Sequence, residues 1–139
     1  MLLIDTSGFL AALFPDQERH AESARILQES RGPLILSPFV LAETDYLVAR
    51  FGGVGVELEL LREVARGAYL LARFEEADID QAQQVISTYQ DLGIGLADAS
   101  LVVLSRRHRV LDLLSLDERH FRTVRGHAER PFRLLPTDG

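Results

Sequence analysis

Four carboxylates stand beside apolar runs, at positions where the edge of a parallel sheet would bring them together. Asp5 and Asp117 each follow an apolar run with the length of a buried strand, and Glu43 and Asp98 occur early in two helical stretches. Because four converging acids repel one another and lose hydration, such a cluster persists mainly when a divalent cation neutralises it. The positions therefore predict a metal site of oxygen ligands, which favours Mg²⁺ or Mn²⁺ over zinc.

Asp98 lies at the start of the most apolar helix that the sequence predicts. Gly93 and Gly95 interrupt the preceding helix, and residues 97–108 have the length and composition of a new one that is apolar nearly all round. Such a helix is usually buried. Since the helix dipole favours an anion in the first turn by roughly 0.3–1 kcal/mol, a helix-start aspartate without a catalytic role is the alternative interpretation.

Glu43 belongs to a helix that Ser37 and Pro38 open, in the preferred order of a capping residue followed by proline. The helical repeat sends Glu43 to the inward side, whereas Asp45 is about 200° further round. Only Glu43 is therefore expected at an interior site, and an ion pair with Arg50 is its alternative role. The apolar positions that define the inward side are Val40, Thr44, Leu47, Val48 and Phe51.

Hydroxyl side chains accompany the two carboxylates that end strands. Thr6 and Ser7 follow Asp5 and are predicted to cap the next helix, while Ser115 precedes Asp117. A capping role is the alternative interpretation for Asp5, and also for Asp117 at the start of the short helix that follows it.

Apolar runs that alternate with helical segments predict one domain over residues 1–139, an α/β/α sandwich around a mainly parallel sheet of four to five strands. Ligands of such sheets bind beyond the carboxyl ends of the strands, where the four acids are expected. Residues 52–53 divide two consecutive amphipathic helices, which are expected to form a hairpin. The strands are predicted within 1–4, 34–36, 68–74, 110–116 and 131–135, and the helices within 6–14, 17–29, 38–51, 54–66, 75–89, 97–108 and 118–122.

The composition excludes several kinds of enzyme. There is no cysteine among the 139 residues, which rules out a disulfide framework, a thiolate zinc site and a cysteine nucleophile. All 15 basic residues are arginine, so a Walker-type phosphate loop and a Schiff-base enzyme are also excluded.

The charge is unevenly divided along a chain whose formal net charge is −6. Residues 1–105 contain 7 arginines and 16 acids, and residues 106–139 contain 8 arginines and 5 acids, giving −9 and +3. The overall charge argues against indiscriminate nucleic-acid binding, although a local arginine patch can hold phosphates. The N-terminal apolar run is too short for a signal peptide and no run is long enough to span a bilayer, so we expect a soluble, cytoplasmic protein.

Four short blocks, in this order and spacing, carry a resemblance that runs nearly end to end. They are Ile4-Asp5-Thr6-Ser7, Ser37-Pro38 with Leu41-Ala42-Glu43, Gly95-Leu96-Ala97-Asp98-Ala99-Ser100, and Leu116-Asp117-Glu118-Arg119-His120-Phe121. With them the chain resembles PIN-domain proteins, and more closely the VapC toxins of bacterial toxin–antitoxin pairs. Ser115 stands where threonine is commoner in that family.

The resemblance implies a metal-dependent endoribonuclease that cuts structured RNA, such as tRNA or a ribosomal loop. It assigns Mg²⁺ or Mn²⁺ to Asp5, Glu43, Asp98 and Asp117, the last being the most variable position in the family. A metal-activated water would then attack the phosphorus in line. The residues expected to orient ligands or substrate phosphates are Thr6, Ser115, Arg106, Arg107, Arg119 and Arg122.

The resemblance also implies partners and leaves rival functions open. A VapB-like antitoxin is expected to bind over the helical hairpin and the site, with the toxin a homodimer within a larger assembly.

A PIN-like binding module without catalysis is the main alternative to the ribonuclease. A haloacid-dehalogenase-like phosphatase is less favoured, because Ser7 stands where its second aspartate would be and its lysine is missing, and a receiver domain also needs that lysine.

Overall fold

A computed structural model describes all 139 residues as alternating strands and helices around one sheet. The strands are β1 (Leu2–Ile4), β2 (Leu34–Leu36), β3 (Leu70–Leu71), β4 (Asp112–Leu114) and β5 (Arg133–Leu135). The helices are α1 (Thr6–Leu13), α2 (His20–Glu29), α3 (Pro38–Ala65), α4 (Glu76–Thr88), α5 (Leu96–His108) and α6 (Glu118–Phe121), with 3₁₀ turns at Gln90–Leu92 and His127–Glu129.

All neighbouring strands run parallel, in the order β3-β2-β1-β4-β5. Leu3 pairs with Ile35 on one side and with Leu113 on the other, so β1 lies at the centre of the sheet. Because crossovers between parallel strands are right-handed, this strand order puts α1, α2 and α3 on one face of the sheet and α4, α5 and α6 on the other. The connections diverge between β1 and β4, which makes the carboxyl ends of these strands the expected ligand site.

The core fills both faces of the central strands. Every residue of β1 is buried, as is the run from Ala99 to Ser105 in α5. A helix that is apolar nearly all round is thus buried, as its sequence predicted. The predicted α/β/α sandwich is confirmed.

Several boundaries differ from the predictions because contacts distant in sequence set them. The third strand contains only Leu70 and Leu71, since pairing with β2 begins at the Ile35–Leu70 register. α2 begins at His20 because Arg19 has a left-handed backbone conformation (φ 59°). α3 is broken at Gly53, whose φ is 82°, at the joint predicted for the hairpin, and Glu57 beyond the break returns to Asp45.

None of the helices combines the length and the apolar composition that a membrane-spanning segment requires.

Candidate active site

A cleft of about 450 Å³ opens beyond the carboxyl ends of β1 and β4. The four carboxylates predicted from the sequence all line it, although they come from four separate parts of the chain. The complete lining comprises Asp5, Thr6, Ser7, Leu10, Glu43, Leu47, Gly95, Leu96, Ala97, Asp98, Asp117 and His120.

Asp5 is the most buried of the four carboxylates and is held by two serines. Its amide donates to the Leu114 carbonyl (3.0 Å), which continues the β1–β4 ladder one residue further. The hydroxyls of Ser7 and Ser115 each donate to its Oδ2 at 2.8 Å. Burial raises the pKa of Asp5, and the hydrogen bonds from Ser115 and Ser7 oppose that increase.

The same serines fix the loop that follows β4. Ser7 Oγ accepts from the amide of Leu116, and Ser115 Oγ accepts from the amide of Asp117, each at 3.0 Å. The prediction that Thr6 and Ser7 cap α1 is therefore wrong. Ser7 is occupied by the Asp5 carboxylate and the loop, and Thr6 makes no capping bond, so the first turn of α1 has no side-chain cap.

Asp98 lies in the first turn of α5, which places it over the cleft. Burial and then the nearby negative charge of Asp5 raise the pKa of Asp98 to about 6, while His120 acts in the opposite direction. Burial and the neighbouring acids thus act against the helix dipole, which alone would lower this pKa.

A buried serine pair joins α5 to the start of α3. Ser37 Oγ lies 2.7 Å from Ser100 Oγ and caps α3 by accepting from the amides of Phe39 and Val40. Ser100 Oγ also lies within hydrogen-bonding distance of the Ala97 carbonyl (2.6 Å). The two helices that carry Glu43 and Asp98 are thus connected close to the site.

Glu43 and Asp45 have different surroundings on α3. Glu43 lines the cleft and Asp45 does not. The alternative Glu43–Arg50 ion pair is not formed, because Arg50 contacts the hydroxyl of Tyr46 instead (3.4 Å). Asp45 lies near Glu57 beyond the break in α3, and a hydrogen bond between these carboxyl groups raises the pKa of Glu57.

Asp117 combines a capping role with a place in the cleft. Its Oδ1 accepts from the amide of His120 at 3.1 Å, so it caps α6, and its Oδ2 lies 2.8 Å from His120 Nδ1. The same ring nitrogen lies 3.3 Å from Asp98 Oδ2. Sequence analysis missed His120, although its spacing three residues after a capping aspartate was a usable signal for a shared face.

The predicted supporting residues are only partly brought together. Ser115 contacts Asp5, and Thr6 lines the cleft with a buried hydroxyl that has no partner. None of the four arginines lines it. Arg106 pairs with Glu129, Arg107 with Asp78, and Arg122 with Glu118 and Asp138, whereas the exposed Arg119 side chain makes no ion pair.

Comparison with known proteins agrees with this geometry. The family model for the PIN domain matches residues 2–126, nearly the whole chain. The chain belongs to the PIN-domain family. Within that family it is 43% identical over 135 residues to Ribonuclease VapC26 of Mycobacterium tuberculosis, covering 97% of this chain and 100% of that protein.

A solved PIN-domain structure shares the fold. The crystal structure of VapC20 of M. tuberculosis, described as a sarcin-ricin loop cleaving toxin, superposes with a TM-score of 0.77. It covers 84% of this chain and 90% of that one at 18% identity, which shows likeness of fold alone. The predicted resemblance to the PIN-domain family and to VapC toxins is confirmed.

Proposed function

We propose that this protein is a metal-dependent endoribonuclease and the toxic component of a toxin–antitoxin pair. The observation that carries the proposal is the convergence of Asp5, Glu43, Asp98 and Asp117 on one cleft at the point where the sheet connections diverge. Homology to a protein named as a ribonuclease supports RNA as the substrate class.

The donor set fits a divalent cation. The carboxylate oxygens are hard ligands of the kind that Mg²⁺ and Mn²⁺ prefer. Burial and then the negative charge of Asp5 raise the pKa of Asp98, and a bound cation would offset both effects. Asp5 and Asp98 would be the primary ligands, with Glu43 a direct or water-mediated one and Asp117 at a second position. When bound, the metal would activate a water and neutralise negative charge on the departing 3′ oxygen.

The remaining side chains would position these ligands and the substrate. Ser7 and Ser115 fix the Asp5 carboxylate through its Oδ2, which leaves its other oxygen free for a cation. Arg119 follows Glu118 on α6, next to the cleft residue His120, and has no ion pair to give up on contacting an RNA phosphate. The paired Arg106, Arg107 and Arg122 are less available for that role.

We expect the substrate to be a structured RNA such as tRNA or a ribosomal loop. The cleft is open at the surface and no neighbouring segment covers it, so it can admit a backbone that projects from a folded RNA. The structural neighbour VapC20 is described as cleaving the sarcin-ricin loop, which supports this class of substrate.

An antitoxin is the proposed partner, and the apolar surface of α3 is its proposed contact. Several large apolar side chains there are exposed, including Tyr46 at 62% and Phe51 at 63%. Such a surface suits the apolar face of an amphipathic helix. Assembly as a homodimer and a cytoplasmic location stay predictions.

RNA cleavage by the purified protein tests the proposed activity. Wild-type protein should cleave structured RNA in the presence of Mg²⁺ or Mn²⁺, and cleavage should stop when EDTA removes the metal. The Asp98→Asn variant should be inactive. Asp91→Asn is the matched control, because Asp91 lies outside the cleft on the preceding 3₁₀ turn. Mapping of RNA 5′ ends in cells that express wild type or Asp98→Asn would identify the cleavage site.

Metal-linked thermal stability separates the rival functions. Millimolar Mg²⁺ or Mn²⁺ should raise the melting temperature of the wild type by mass action, and Asp98→Asn should reduce that response. Stabilisation by metal without RNA cleavage would instead indicate a binding module, and hydrolysis of a small phosphomonoester would indicate a phosphatase. Absence of both stabilisation and cleavage would refute the metal site.

A further inference from the structure

His120 places a nitrogen atom at one side of the cleft. Its Nδ1 lies 2.8 Å from Asp117 Oδ2 and 3.3 Å from Asp98 Oδ2. The three residues can offer one nitrogen and two oxygen atoms that all lie within 4.8 Å of one another. No other group of three or more such side chains in the structure brings its donor atoms this close together.

The position of the ring is determined by the backbone as well as by the carboxylates. Asp117 caps α6 by accepting from the amide of His120 with one carboxylate oxygen, while its second oxygen contacts the ring. The His120 side chain is 20% exposed, as is that of Asp98, so both are accessible from the cleft without being free in solvent. The nitrogen is therefore held at the site before any ligand binds.

The two sides of the cleft differ in donor chemistry. Around Asp5 the neighbouring polar groups are the hydroxyls of Ser7 and Ser115, which together with the carboxylate offer oxygen atoms alone. Around Asp117 an imidazole nitrogen joins the carboxylates. Mg²⁺ binds almost only to oxygen in proteins, whereas imidazole is a good ligand for first-row transition metals, and Mn²⁺ accepts both oxygen and nitrogen ligands.

We propose that His120 is a nitrogen ligand for a divalent transition metal such as Mn²⁺ at the Asp98–Asp117 side of the cleft. This ligand makes the protein select Mn²⁺ over Mg²⁺. The inference rests on the proposed metal site and adds a ligand and a metal preference to it. His120→Asn removes the ring nitrogen, so it should lower the affinity for Mn²⁺ by roughly tenfold or more and change that for Mg²⁺ much less.

Pulsed electron paramagnetic resonance of the Mn²⁺-loaded protein tests the nitrogen ligand directly. Wild type should show ¹⁴N modulation from a coordinated imidazole, and labelling all histidines with ¹⁵N should convert it to ¹⁵N modulation without any substitution. The modulation should vanish in His120→Asn and persist in His108→Asn. His108 is the matched control because it lies on the same helix as Asp98, ten residues and about 15 Å along the axis.

The outcomes distinguish this inference from the proposed function. Calorimetric titration should show tighter binding of Mn²⁺ than of Mg²⁺ to wild type, with the difference reduced in His120→Asn. Mn²⁺ binding without nitrogen modulation, in a protein that cleaves RNA, would refute the nitrogen ligand and leave the ribonuclease intact. If the protein neither binds a divalent cation nor cleaves RNA, both proposals fail.

Discussion

Glu43 and Asp45 are two carboxylates that lie about 200° apart around α3, and their surroundings differ. The Glu43 side chain borders the cleft, whereas Asp45 faces Glu57 on the other side of the break at Gly53. One Asp45 oxygen is buried without a hydrogen-bond partner. Chemical identity therefore says little about an acid in this protein, and its position on the helix decides its role.

Substitution of these two residues gives a direct test of the metal site. Glu43→Gln should lower the rate of RNA cleavage by roughly 100-fold or more, because it removes a charged metal ligand. Substitution of residues that only support a metal ligand already lowers activity by about 10–100-fold. Asp45→Asn should leave most of the activity, since the side chain does not reach the cleft. Initial rates on one structured RNA would measure both variants, and equal losses would contradict the assignment.

Burial of Asp98 beside Asp5 also predicts a pH dependence of stability in metal-free protein. The pKa of Asp98 is about 6 in the folded state against an ordinary value of 3.8, so the folded protein takes up this proton first as the pH falls. Stability in EDTA should therefore rise between pH 7 and pH 5 by on the order of 1 kcal/mol, and the gain should be complete once the pH falls below the unfolded pKa.

Urea denaturation at several pH values would measure this effect. Asp98→Asn removes this titrating group and should reduce the pH dependence by the contribution of Asp98, leaving that of Asp5, whose pKa burial also raises. A wild-type stability that falls steadily between pH 7 and pH 5 in EDTA would contradict the argument.

At the scale of elements, close packing brings the helix starts to the sheet edge. A Cβ at Gly8 would overlap the Leu114 carbonyl, so only glycine allows α1 to lie this close to the end of β4. The buried Ser37–Ser100 pair fixes α3 relative to α5. The positions of Glu43 and Asp98 thus depend on contacts that involve neither carboxylate.

Ser37→Ala should damage both stability and activity. It removes the cap of α3, which costs about 1–2 kcal/mol, and it leaves the buried Ser100 hydroxyl without one partner. Cleavage should fall by a larger factor than the folded fraction, because the link between α3 and α5 is lost. Urea denaturation and cleavage rates would measure the two effects, with Ser87→Ala on the exposed side of α4 as the control.

At the scale of the whole molecule, the exposed apolar surface of α3 lies beside the acidic cleft. Leu47 lines the cleft itself, and Leu61, beyond the break at Gly53, is 36% exposed. A partner that lays an apolar helix along α3 could therefore bring a basic side chain to Asp5 and Asp98 and exclude the metal.

This arrangement predicts the effect of charge on the antitoxin contact. Leu61→Glu, and also Leu47→Glu, should weaken inhibition by the antitoxin by roughly tenfold or more, because each introduces a charge into an apolar interface. Ile79→Glu is the matched control, since Ile79 is similarly exposed (40%) but lies on α4, on the other face of the sheet. Inhibition of cleavage by the product of the adjacent gene would measure the effect. Unchanged inhibition in both α3 variants, with folding intact, would exclude this surface.

The sequence by itself determined the fold class, the family and the placement of four carboxylates at one edge. It could do so because each acid follows a short apolar strand or lies early in a helix that starts near the same edge, and parallel strands bring such positions together. The helical repeat also sent Glu43 and Asp45 to different sides of α3, and only Glu43 lines the cleft, although Phe51 of the predicted inward side is 63% exposed. These inferences depend on neighbours in sequence, so local patterns suffice for them.

Only the tertiary structure decided which partner each remaining polar side chain takes. Ser7 looked like a cap but contacts Asp5 and the loop after β4, more than 100 residues away. Arg122 looked available for phosphate but pairs with Asp138, and His120 joined the site because Asp98 comes to it from another helix. A hydrogen bond or ion pair depends on a distance of a few ångströms, and for residues far apart in sequence the packing of the helices on the sheet sets that distance.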